Sequence, residues 1–393
     1  MNILMFNMSN YTEWKSGIAN RNYHILHNLE KNPNVEKIIA IDFLPFSFKR
    51  AARNYYECII KNFEGGEIIF GDLTSKFRQV SSKIYNYTTI DSFFSSKTVV
   101  KEINKILKLE NISHDNLIIW SYNQMFAELA ENIGHKMFIF DMVDNWAYHP
   151  SFKNQQKKLL KNFNYISKNA DIIFTVSEQL VDFYKEKGRT KNVYWIPNGV
   201  DLSFYQGDIL NKENELSDLK KPIIGYIGTI QERTDVDLIK YLADKNPNFS
   251  FAFVGPVWEK IEKEINDKIK NKNNVYFFGR KPYQDSGSYI NKFDVAIIPH
   301  KIDRFLETTN PLKMYEYLAL GKPIVTTGGA GVETFKDFLY IADDYADFDK
   351  KIKIALAEKD ENSIIKRKEI VKDHTWEKRI EKMLRIISEN FNN

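Results

Sequence analysis

Short, continuous apolar runs separated by stretches with helical spacing recur from one end of this chain to the other. They constrain its fold more than any other feature. In the first half they are Ile3–Phe6, Lys37–Phe43, Leu117–Ser121, Met137–Asp141, Ile172–Val176 and Val193–Ile196. In the second half they are Ile223–Ile227, Phe249–Val254, Val275–Phe278, Val295–Ile298 and Pro323–Thr326. Runs of Ile, Val and Phe without polar alternation suit parallel strands covered on both faces. Strands that alternate with helices predict a doubly wound α/β fold. At 393 residues the chain is too long for one core, so two such domains are expected. The pattern resets between Pro197-Asn198-Gly199 and Pro222, and Gln206–Lys221 is polar and charged. This places a first domain at 1–205, a linker at 206–221 and a second domain at 222–374. A last helix, from about Thr375 to Asn390, carries Trp376, Ile380, Met383, Leu384 and Ile387 at helical spacing.

Charge and cysteine content narrow the function classes. Lys and Arg number 56 against 52 Asp and Glu, so no polyanion partner is demanded and nucleic acid does not enter the reading. The one cysteine, Cys58, forms no internal disulfide, which suits a reducing compartment. The N-terminal Met1–Met8 has no basic leader region and reads as a first strand. No apolar stretch reaches the roughly 18–20 residues needed to span a bilayer. A cytoplasmic location is expected. Residues 46–61 mix Phe46, Phe48, Tyr55, Tyr56 and Ile59 with Lys49, Arg50, Arg53 and Lys61. That mixture suits peripheral contact with an anionic membrane surface, and equally a solvated helix beside a cleft.

The chemistry concentrates in Thr309–Val325. Thr309-Asn310-Pro311-Leu312-Lys313 leads into a helix carrying Glu316, and Gly321-Lys322-Pro323 stops it before an apolar strand. A lysine in the first turn, beside the free amides of a helix start, holds phosphate. Glu316, one turn on, can accept hydrogen bonds from ribose hydroxyls. Thr309 and Asn310 read as helix caps that also offer hydrogen bonds to ligand. A nucleotide-sugar site needs this combination. Three further strand ends add to it. Gly225-Tyr226-Ile227-Gly228-Thr229, with Arg233 beyond, lets backbone amides approach a diphosphate and adds a fixed cation. Gly255-Pro256 and Gly279-Arg280-Lys281-Pro282-Tyr283 end two more strands, and the last offers backbone groups to a base. Ligands of open α/β sheets bind beyond the carboxyl ends of strands, so these ends converge on one crevice.

The first half offers a different set. Asp141 and Asp144 in Phe140–Trp146 follow a strand, and either can deprotonate an acceptor hydroxyl. Gly17, Arg21 and His24 follow the first strand and, with Trp146, are candidates to contact the acceptor. Asp235-Val236-Asp237 resembles a metal-binding pair, but it falls in the first turn of a helix, where the dipole favours acidic residues. No His/Cys cluster has metal-ligand spacing, and no metal or other cofactor is expected.

Taken together and in order, these segments resemble retaining glycosyltransferases of family 4. They are Val176-Ser177-Glu178, Ile196–Asp201, Gly225–Arg233, Asn310–Val325 and the Trp376 helix. Phe140–Trp146 and Asn310–Glu316 are most similar to bacterial enzymes of the teichuronic-acid and exopolysaccharide type. They also show some similarity to the xanthan glucuronosyltransferase, which inverts and uses a lysine and an aspartate base. The resemblance implies the GT-B architecture, two Rossmann-like domains facing across a cleft. The donor nucleotide would sit in the second domain, the acceptor in the first, and the last helix would cross back to the first. It implies sugar transfer, without metal, from a nucleoside-diphosphate sugar, UDP-linked, to a glycan or lipid-linked glycan at the inner face of the cell membrane. Glu316 matches the second of two family glutamates, and Thr308 stands at the first. Two other functions fit the same residues: a UDP-sugar epimerase of this architecture, and a non-catalytic glycan-binding scaffold of a polysaccharide assembly complex.

Overall fold

The computed structural model describes residues 1–61, 65–329 and 331–391. The chain divides into two compact units, Met1–Ile196 with Ile380–Asn393, and Pro197–Arg379. Each is built on one twisted sheet with helices on both faces.

The first unit holds a nine-stranded sheet. Its strands are β1 (Asn2–Phe6), β2 (Ile38–Ile41), β3 (Glu67–Gly71), β4 (Ser75–Gln79), β5 (Ile84–Thr89), β6 (Leu117–Ser121), β7 (Met137–Met142), β8 (Ile172–Thr175) and β9 (Val193–Trp195). They lie in the order β3-β4-β5-β2-β1-β6-β7-β8-β9. Pairing is parallel from β5 to β9, while β3, β4 and β5 form an antiparallel extension. The second unit holds β10 (Ile223–Ile227), β11 (Ser250–Val254), β12 (Val275–Phe277), β13 (Val295–Ile298), β14 (Ile324–Thr327) and β15 (Tyr340–Ala342). All are parallel in the order β12-β11-β10-β13-β14-β15. Both sheets therefore reverse direction beside their first strand, between β1 and β6 and between β10 and β13, as in doubly wound nucleotide-binding folds. Ile224, Phe251, Val295 and Ile297 face one apolar layer, and Ala252, Ala296, Ile298 and Ile324 the other. This two-sided burial accounts for the unbroken apolar runs in the sequence.

Every apolar run read as a strand is one, with ends shifted by a residue or two. The structure adds β3, β4, β5 and β15. β4 and β5 do not read as strands because polar residues interrupt their buried apolar positions: Arg78, Asn86, Thr88 and Thr89 have essentially no solvent exposure. Arg78 donates to Asn86 Oδ1 at 3.0 Å and to the Cys58 carbonyl at 3.1 Å. Thr88 and Asn86 donate to the Asp42 carboxylate at 2.5 and 3.0 Å. With its polar groups paired, such a layer tolerates burial.

The expected linker is a correction. Residues 206–221 pack into the second unit, which begins at Pro197 rather than after Tyr205. Leu216 is fully buried in its core. Lys212 pairs with Asp285 at 2.7 Å, and Glu215 accepts from the Tyr289 hydroxyl at 2.6 Å. The segment is polar because its charges meet partners on the helix Ser286–Lys292 and the turn before it. The last helix runs Trp376–Phe391, and from Ile380 onward it groups with the first unit.

Candidate functional site

The second sheet reverses between β10 and β13, so the carboxyl ends of these strands open a crevice. Gly228 N, just past β10, donates to the Val254 carbonyl at 2.8 Å, and Ile230 N to the Pro256 carbonyl at 2.9 Å. Gly255 in turn bridges to Gly279 beyond β12. Gly228 and Gly255 have φ of 125° and 147°. A Cβ on Gly255 would overlap the Gly228 carbonyl. Glycine is required at both positions by backbone conformation and close approach. Gly228, Thr229, Gly255 and Pro256 thus form a backbone shelf at the strand ends.

Lys313 reaches this shelf from the helix Leu312–Ala319. Its residues are good helix formers, and Met314, Tyr317 and Leu318 anchor it in the core. Pro311 precedes it, and no side chain caps its first amides. Lys313 is only 7% exposed. Its Nζ lies 4.9 Å from the centre of the Tyr226 ring. A Cβ on Gly228 would come within 3.2 Å of its Cε. Among the described residues Nζ makes no hydrogen bond or ion pair. Burial, reinforced by Arg233 and opposed by Glu316, lowers its pKa to about 7. An ammonium held out of water with no direct ion pair among the described residues, beside an uncapped helix start, is a place for an anion.

Other groups converge here. Arg233 is half-buried, and the Gln231 side-chain oxygen, turned toward it, accepts from its Nε and Nη2 at 2.9 and 3.0 Å. His300, two residues past β13, is buried in a T-shaped contact with the Tyr226 ring, centroids 6.2 Å apart. Burial, Lys313 and Arg233 hold it well below the usual histidine pKa, so it is neutral. Its Nε2 has no partner among the described residues. The buried Glu316 carboxyl lies with Lys313 and the hydroxyls of Tyr205 and Tyr283, and burial raises its pKa. Tyr205 donates to Tyr283 at 3.3 Å and contacts Ser286 Oγ at 3.1 Å.

Several expected ligand contacts have other work. Thr309 and Asn310 do not cap the helix. Thr309 Oγ1 donates to the Leu306 carbonyl at 3.0 Å. Asn310 Oδ1 accepts from Asn198 N at 2.9 Å and from the Tyr315 hydroxyl at 3.0 Å, while its Nδ2 donates to Gly331 O at 3.4 Å. Asn310 therefore pins the Pro197–Gly199 turn. Pro311 and Leu312 form the helix start itself. Arg280 and Pro282 lie exposed beyond β12. Asp235 caps the helix Val236–Lys245 through Leu238 N at 3.0 Å and accepts from Tyr345, and Asp237 pairs with Lys268 at 2.7 Å.

In the first unit the structure separates the two aspartates. Asp141 lies in β7, and its Oδ1 accepts from Arg21 Nε at 2.9 Å, both side chains fully buried. The pair fixes the helix Arg21–Lys31 to the sheet. His24 is buried on that helix, and burial lowers its pKa to about 3. Trp146 is buried and stacks on Phe152 at 5.0 Å. All four side chains are thus packed into the interior of the first unit, where each has a structural partner or layer. Asp144 is half-exposed at the carboxyl end of β7. Its carbonyl accepts from Gln124 Nε2 at 2.6 Å, and Gln124 Oε1 accepts from Trp146 N at 3.3 Å, so one side chain sets the turn. Gly17 is half-exposed in the turn after the helix Tyr11–Lys15, at the same edge of the sheet. The sequence reading passed over Tyr226, Tyr205 and His300. Only His300 carried a signal, standing directly after a strand and a proline.

Residues 208–373 match the family "Glycosyl transferases group 1". The chain is 27% identical over 219 residues to TuaH of Bacillus subtilis (strain 168), named for teichuronic acid biosynthesis; the match spans 53% of this chain and 55% of that protein. The chain thus spans about half the length of this curated relative. Among solved structures it resembles sucrose-phosphate synthase of Thermosynechococcus elongatus, with a TM-score of 0.70 and 14% identity, covering 100% of this chain and 99% of that one. It also resembles Anabaena HepE, solved with UDP and glucose, with a TM-score of 0.69 and 14% identity, covering 98% and 99%. This chain has the GT-B fold of two Rossmann-like domains, and its residues 208–373 are a glycosyl transferase group 1 domain.

Proposed function

We propose that this protein is a glycosyltransferase that moves a sugar from a nucleoside-diphosphate donor, UDP-linked, to a glycan or lipid-linked glycan in bacterial surface-polysaccharide synthesis. One observation carries the reading: Lys313 is buried at the switch point against the Gly228 shelf, and among the described residues its Nζ makes no hydrogen bond or ion pair. The donor diphosphate supplies that partner. The similarity to TuaH and to a fold neighbour solved with UDP supports a UDP-sugar and a polysaccharide acceptor. Glu316 takes the ribose, and Arg233 assists Lys313. As the bond from the anomeric carbon to the phosphate oxygen breaks, its electron pair leaves with the diphosphate, and Lys313 stabilises the charge. In an inverting reaction the acceptor oxygen forms the new bond, and Asp144 takes its proton. A thermal-shift screen of nucleoside diphosphates tests the donor half, because a ligand that binds the folded state raises the melting temperature. UDP is expected to raise it, and Lys313→Ala to abolish both the shift and most turnover with the fold intact. No shift with any nucleoside diphosphate would sink the reading. Products assayed without acceptor separate transfer from epimerisation, since only an epimerase converts the donor alone.

A second reading concerns where the acceptor is met. Phe48, Tyr56, Ile60, Leu73 and Phe94 in the first unit are all more than half exposed. Ser92 Oγ donates to the Pro45 carbonyl at 2.9 Å, which brings the Phe48 and Phe94 segments together. Lys49, Arg53 and Lys61 are exposed beside them. Apolar side chains among cations suit a peripheral contact with an anionic bilayer. No helix among the described residues is long and apolar enough to cross a membrane.

A further inference from the structure

We propose that His300 is a donor-binding residue whose Nε2–H donates a hydrogen bond to a diphosphate oxygen of the bound nucleotide sugar. The inference rests on the donor-site reading above and adds a residue to it. Three observations converge. His300 closes β13 at the reversal point of the sheet, with its carbonyl accepting from Thr327 Oγ1 at 2.8 Å and its backbone bridged to Thr234. These ties fix the His300 backbone from β14 on one side and from the loop after β10 on the other. His300 also lines a tight pocket together with Thr309, Pro311, Thr327 and Gly329. Pro311, which leads into the helix Leu312–Ala319, lines the same pocket. Finally, the Tyr226 ring stands beside both His300 and Lys313, 6.2 Å from the imidazole and 4.9 Å from the ammonium. Tyr226 itself is held by its hydroxyl, which donates to the Thr229 carbonyl at 3.0 Å. An anion seated on Lys313 is thus within the neighbourhood that the imidazole faces.

The chemistry fits. A buried polar nitrogen without a partner costs free energy, and a ligand that satisfies it recovers that cost on binding. His300 is 2% exposed, so water does not fill the role freely. Burial, reinforced by the two cations beside it, keeps the ring neutral. A neutral imidazole carries one N–H, which suits an anionic oxygen without adding a third cation to a crowded site.

The test uses the full-length protein with UDP and with uridine, which lacks phosphate. A hydrogen bond to a charged group is worth a loss of roughly 10- to 100-fold in affinity. Calorimetry of His300→Ala is expected to show that loss for UDP and none for uridine, with His300→Gln recovering part of it. Nitrogen NMR of the histidine rings gives a readout that a merely structural residue would not move. The Nε2 resonance missing from His300→Gln should shift when UDP saturates the wild-type protein. An unmoved resonance at saturation, or equal UDP affinity in His300→Ala, overturns this inference and leaves the donor-site reading standing. Wild-type protein that binds no nucleoside diphosphate overturns both.

Discussion

Lys313 makes nucleotide binding pH-dependent. Its pKa near 7 belongs to the empty site, and a bound diphosphate raises it, so binding takes up a proton above that pH. UDP affinity is therefore fullest below about pH 7 and declines as pH rises toward the bound-state value. Calorimetry from pH 7 to pH 9 should show this decline, and Lys313→Arg, which stays charged, should flatten it. The aspartates part company at the same scale. Asp144→Asn is expected to lower turnover by about 10²- to 10⁴-fold at unchanged stability, as for a lost general base. Arg21→Ala leaves Asp141 as a buried charge without its partner and should cost about 3–5 kcal/mol in denaturant unfolding. The opposite pattern would exchange the assignments. Nothing local distinguishes Asp141 from Asp144 in sequence; they are three positions apart after the same apolar run. Strand alternation and the arrival of Arg21 from a distant helix turn one inward.

At the scale of elements, the site is a meeting of strand ends with one helix start. The glycines at the ends of β10 and β11 touch through their backbones, so the shelf is built from main chain. Gly255→Ala places a methyl against the Gly228 carbonyl in a backbone region that alanine rarely adopts. A loss of about 1–3 kcal/mol is expected, with weakened UDP binding. Equal melting temperature and UDP affinity in the variant would show that the shelf yields easily. The helix Leu312–Ala319 was legible from Pro311, its helix-forming residues and the Gly321-Lys322-Pro323 stop. The role of Asn310 was not, because its partners Asn198 and Gly331 lie far away in sequence. The polar strands β4 and β5 stayed hidden for a related reason: their burial depends on Asp42 and Cys58, which no periodicity announces.

For the whole molecule, the prediction concerns the membrane. Burying an apolar side chain contributes about 1.5–3 kcal/mol, so Phe48→Ser with Phe94→Ser should weaken binding to anionic vesicles by about tenfold or more. Co-sedimentation with vesicles of anionic and of neutral lipid measures it. Wild-type protein that stays in the supernatant with both would remove the membrane from the account. Turnover on a water-soluble acceptor should be unchanged in the double variant. Turnover is also expected to be equal in EDTA and in magnesium, since Lys313 and Arg233 bring positive charge to the diphosphate.

The sequence by itself determined the two doubly wound sheets, because continuous burial on both faces of a parallel strand leaves an unbroken apolar run. It also determined the helix start that presents Lys313, because proline, helix formers and the glycine stop act locally. Tertiary structure decided the rest. It drew residues 206–221 into the second unit, buried Arg21 against Asp141, and stood His300 and Lys313 beside one tyrosine. Those outcomes depend on pairings between segments far apart in the chain, where the free energy of burying a charge or a polar atom is set by which partner arrives.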